Sequence, residues 1–139
     1  MIDNQTHIEM TNFEKVSKWV KDNYDIEVKL GQMTCFMGHS VGRIFIHHNY
    51  NLEKNGLIAL LHEVGHVMQP SQDEDKFGPN RYKTVCDIEK PKKWRMLQFI
   101  NEVDAWDRGE ALALELGIEL DQSRWTQQKE EALETYYVV

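Results

Sequence analysis

Leu57-Ile58-Ala59-Leu60-Leu61-His62-Glu63-Val64-Gly65-His66-Val67-Met68 is the stretch from which the rest of this chain is read. Its apolar residues fall all around a 3.6-residue period, the mark of a buried helix, with Asn51 upstream as a capping residue and Pro70 as a stop. Two imidazoles and a carboxylate are set into this apolar segment, and burying such groups is costly unless they are paired or coordinated. His62 and His66, four residues apart, lie one above the other on one helix face. Both can then reach a single Zn²⁺ at about 2.0–2.1 Å. Glu63, beside the first histidine of this HExxH motif, is placed to act as general base on a metal-activated water.

A catalytic zinc site takes three protein ligands and leaves a position for water. The other histidines, His7, His39, His47 and His48, all lie upstream, and none follows at the short spacing HExxHxxGxxH, which points to a carboxylate. Pro91 suits the first turn of a further helix that runs to about Leu116, with Gly117 as its stop. Within it, Glu102 shares a face with Phe99, Ala105, Trp106, Gly109 and Ala113, apolar company for an acid. Asp104 shares a face with Leu97, Ile100, Ala111 and Leu112. Glu102 is the expected ligand because the shorter Asp reaches less far from the helix axis, and Asp104 is the alternative.

Upstream of the HExxH helix, Thr11-Asn12-Phe13-Glu14 is a capping-box pattern that opens a helix over 12–23, with Phe13, Val16, Trp19 and Val20 as its apolar stripe. Three β-favouring pieces follow, over 26–30, 34–37 and 41–48. In the third, Ile44, Ile46 and His48 alternate with Arg43, Phe45 and His47, and a small, mostly antiparallel sheet is expected. Between the two site helices, residues 71–90 hold no period and read as a long loop, a length that usually signals function or disorder. Asp121 or Ser123 opens a last helix ending near Tyr136. Together these pieces give an α+β fold in a single domain, 1–139.

The chain has 139 residues, 41% of them hydrophobic, with 16 Lys+Arg against 23 Asp+Glu. A chain of this length folds without disulfides or a structural metal, so a metal here is expected to serve function. The net charge of −7 leaves no cationic excess to displace counterions from phosphates and argues against a nucleic-acid partner. No apolar run reaches the roughly 20 residues of a membrane span, and Met1-Ile2-Asp3-Asn4-Gln5 has no signal-peptide pattern. A cytoplasmic protein with no membrane partner is expected. Cys35 and Cys86 form no CxxC pair and read as free thiols.

HExxH on one helix followed by Glu102-Val103-Asp104-Ala105, an ExxA frame, on the next resembles the gluzincin metallopeptidases, in particular their small one-domain forms. The layout is also similar to compact metallopeptidase-like proteins carried by tailed bacteriophages. The resemblance covers about residues 40–116. It implies a minimal zincin-like domain, with a small sheet packed on an active-site helix and a glutamate-bearing helix. It further implies zinc-dependent hydrolysis of peptide bonds in a peptide or protein substrate, with His62, His66 and Glu102 as ligands and Glu63 as base. Two other readings stand beside it: a zinc-bearing module that binds a protein without turnover, and a regulatory protease acting on one specific protein.

Peptidases of this chemistry add a donor for the oxyanion of the tetrahedral intermediate. Tyr82 and Arg81, in the long loop, are the candidates, although both also read as ordinary loop residues. Asp107 and Arg108 are candidates to orient a ligand from behind, since a metal-bound histidine commonly donates its other N–H to a carboxylate or carbonyl. His47 and His48 read as sheet-edge residues, Trp94, Trp106 and Trp125 as core, and Cys86 as an inert loop thiol. The sheet edge itself offers a place where an extended peptide adds as a strand.

Overall fold

Helix ends in this protein sit where the local side chains satisfy the backbone. In α1 (Asn12–Tyr24) the Thr11 hydroxyl accepts from the Glu14 amide while the Glu14 carboxylate accepts from the Thr11 amide, the capping box expected from the sequence. The computed structural model describes residues 9–70 and 91–136, apart from the side chains of 91–94. The readings made on His7, Arg81, Tyr82 and Cys86, and on the Trp94 side chain, lie outside these residues.

Two compact units make up the chain, Met1–Leu61 and His62–Val139, the boundary falling inside one helix. The first unit holds α1, three strands and the start of α2 (Asn55–Val67). β1 (Glu27–Gly31) pairs in parallel with β3 (Arg43–His47), and the two-residue β2 (Cys35–Phe36) pairs antiparallel on β3's other side. The order is β1-β3-β2, a mixed sheet whose longer pairing is parallel. This corrects the expectation of a mostly antiparallel sheet. Three consecutive strands do alternate in direction, but β3 lies between the other two, so its neighbour β1 necessarily runs the same way. β3 merits that central place because Ile44 and Ile46 are wholly buried, whereas β1 is largely exposed. Phe13, Val16, Val20 and Ile26 complete this core, and the Glu53 carboxylate accepts from the otherwise unsatisfied amides of Asn12 and Phe13.

The second unit is helical in its described part: the end of α2, α3 (Pro91–Glu115) and α4 (Gln122–Glu134). The α3 stop is Gly117 in the left-handed region, φ 71°, where the Ile118 amide bonds back to the Ala113 carbonyl. Asp121 caps α4 by accepting from the Arg124 amide. Ala105, Trp106, Leu112, Ala113, Ile118, Trp125 and Leu133 are buried here. With the strands in one unit and these helices in the other, the secondary structure is segregated, as in an α+β protein. Among the described residues, no helix is long and apolar enough to cross a membrane.

Candidate metal centre

The second unit brings together the C-terminal turns of α2 and the middle of α3. α2 contributes His62 and His66 on one face, and Gly65 between them lets its backbone lie directly against that of α3. α3 contributes Glu102, one carboxylate facing two imidazoles. His62 Nε2 is 2.8 Å from Glu102 Oε1, and His66 Nε2 is 3.0 Å from Oε2. The donor atoms of the three residues lie within 4.8 Å of one another, and among the described residues they are the group of His, Cys, Asp or Glu able to share one ion. Two imidazole nitrogens and one carboxylate suit Zn²⁺ in number and kind. Their side chains keep 14–18% exposure, enough for an ion to reach them while solvent is mostly excluded.

Charge reinforces the geometry. Burial by itself would raise the Glu102 carboxyl, but hydrogen bonds from His62 and His66, together with their positive charge, outweigh it and hold the group at about 2. Burial likewise opposes a charged His66. The hydrogen bond and charge of Glu102, the charge of Glu63 and the contact with Gln69 overcome that, leaving His66 above its ordinary value. Without an ion, then, the Glu102 carboxylate draws both imidazoles toward the place where the ion would sit.

Glu63 is buried at 8% exposure, its Oε2 3.5 Å from His62 Nδ1. The alternative acid, Asp104, stands elsewhere: its Oδ2 accepts from Arg108 Nε at 2.7 Å and from Gln69 Nε2 at 3.0 Å. Asp107 is exposed, with Oδ1 3.5 Å from Lys129 Nζ of α4, not at either histidine. His47 and His48 stack on each other in the first unit. Tyr82 lies outside the described residues.

Two neighbours of the site carry more than the sequence reading gave them. Trp106, read as core, is buried and stacks flat on His62, ring centroids 4.4 Å apart and planes 12° from parallel, and it meets Trp125 edge-on behind. The available signal was its place four residues after Glu102, on the same helical face. Gln69 was not singled out at all, yet its Oε1 is 3.0 Å from His66 Nδ1. Its signal was a position three residues after His66, just past the end of the same helix.

Comparison with protein-family models, with curated proteins and with solved structures finds no match to this chain.

Proposed function

We propose that the protein is a zinc-dependent metallopeptidase of gluzincin type, a minimal zincin-like domain in which His62, His66 and Glu102 hold the ion and Glu63 is the general base. The observation that carries this reading is the convergence of both Nε2 atoms of the HExxH pair on the two oxygens of Glu102, across 40 positions of chain. Zinc bound there supplies Lewis acidity toward an amide carbonyl and makes water a nucleophile near neutral pH. The chain's own contribution to proton movement is Glu63, whose carboxylate takes a proton from water and returns it to the departing amine. Its burial, between His62 and the wholly buried Val64, keeps bulk water from competing for that proton. Peptides or proteins are the substrates, and the cytoplasm, where Cys35 stays a free thiol, is the site of action.

Elemental analysis of purified protein tests the site, with about one zinc per chain expected and His62→Ala or His66→Ala abolishing it. Cleavage of an unstructured polypeptide, followed by mass spectrometry with and without a zinc chelator, tests turnover. Chelator-sensitive cleavage would exclude a zinc-bearing binding module; stoichiometric zinc without it would refute a general peptidase and leave that module and a protease acting on one specific protein.

A further inference from the structure

The amide of Gln69 is held in one orientation. Its Nε2 donates to the Asn101 carbonyl oxygen at 2.9 Å and to Asp104 Oδ2 at 3.0 Å. Both partners are acceptors with no hydrogen to give, for Asp104 is itself ion-paired to Arg108 Nε at 2.7 Å. Turning the amide over would set its oxygen against a carbonyl and a carboxylate at hydrogen-bond distance, two repulsive contacts in place of two bonds. Gln69 Oε1 therefore faces His66 Nδ1, 3.0 Å away, and an amide oxygen can only accept. Nδ1 must carry the hydrogen. Nε2 is then the nitrogen left to meet an ion, and it faces Glu102 Oε2 at 3.0 Å.

Arg108 braces this arrangement from behind. Besides pairing with Asp104, its Nη1 donates to the Met68 carbonyl at 3.1 Å, just beyond the end of α2 and next to Gln69. Asn101, Asp104 and Arg108 follow one another at three and four residues along α3, so its helical repeat lines up the groups that meet Gln69, two residues past the end of α2.

The geometry points to Gln69 as a positioning residue that holds His66 by its Nδ1–H and so aims Nε2 at the centre, with Asp104 and Arg108 as the anchor that orients Gln69. The inference rests on the zinc reading for its purpose, since a histidine ligating through Nε2 gains affinity when its other nitrogen donates to a fixed acceptor. Its structural content can be read without metal.

The test uses the full chain, ¹⁵N-labelled at histidine and freed of metal. The hydrogen on His66 Nδ1 should be visible in ¹H–¹⁵N spectra of the unmodified protein and exchange slowly with solvent, because Gln69 Oε1 holds it. Gln69→Met, of similar bulk with no acceptor oxygen, should lose that slow exchange. In zinc titrations, Gln69→Met should weaken binding by about 10–100-fold. No slowly exchanging Nδ1–H on His66 in the unmodified chain, or a folded Gln69→Met protein with unchanged exchange and unchanged zinc affinity, would overturn the assignment. If the unmodified chain shows the held Nδ1–H but takes up no zinc, the positioning role stands and the metallopeptidase reading falls.

Discussion

A β-carbon built on Gly65 would lie 1.9 Å from the carbonyl oxygen of Ala105, so α2 and α3 meet backbone to backbone between His62 and His66. No side chain fits in that space, and the obstacle is main chain, which cannot turn aside. Gly65→Ala should push the helices apart, costing about 1–3 kcal/mol or more, and should withdraw Glu102 from the histidines. Denaturant unfolding and zinc titration check both parts. A variant with undiminished stability and zinc affinity would mean that the helices are not this close.

Holding the ion and activating water are assigned to different acids, and substitution should separate them. Glu63→Gln should keep zinc near full occupancy while peptide hydrolysis falls by roughly 10²–10⁴-fold. Glu102→Ala should lose zinc itself. Metal content measured alongside turnover, in variants shown to be folded by circular dichroism, decides between them.

The metal-free protein should have a stability maximum in mildly acidic solution. Glu102, depressed from 4.5 to about 2, contributes stability that is present above the higher value and lost as pH falls toward the lower. His66, raised from 6.5, contributes stability that is full below 6.5 and lost as pH rises through its folded value. Urea midpoints measured with chelator present should therefore fall on both sides of roughly pH 4.5–6.5, and Glu102→Gln should flatten both slopes. Protons and zinc compete for His66, so zinc affinity should drop as the solution is acidified through that same range.

Trp106 supports His62 through its face. Its Nε1 has no hydrogen-bond partner among the described residues, so Trp106→Phe gives up no hydrogen bond while keeping an aromatic surface under the imidazole. Trp106→Ala should cost about 3–5 kcal/mol by leaving a cavity, and Trp106→Phe markedly less, with zinc binding retained. Equal losses in the two variants, read by chemical denaturation, would show that the stack contributes nothing.

The helices and the donor triad were legible in the sequence because both follow the 3.6-residue repeat: His62 with His66, and Glu102 with Ala105 and Trp106, declare their faces by spacing alone. Strand order was not. The two-residue repeat of Arg43–His47 tells which side chains are buried, which Ile44 and Ile46 confirm, but says nothing about which strand lies beside which. The contrast between Glu102 and Asp104 was open in the sequence, since both faces carried apolar residues; the structure engages Asp104 with Arg108 and Gln69 instead. Gly65 stood unremarked inside the motif, because a need for absence of a side chain leaves no periodic trace. Gln69 was invisible for a related reason: its role depends on what Asn101 and Asp104 present from another helix.

The donors come from only two helices, joined through about 40 residues of chain between His62 and Glu102. An ion gripping both would act as a removable clasp. Held in the unfolded chain it would close a ring of that length, and by the chain-entropy argument used for covalent cross-links such a ring denies the unfolded state about 4 kcal/mol of freedom. A chelator would then do two things at once, stopping hydrolysis and loosening the fold. The rate at which the ion escapes would report how often α2 and α3 part.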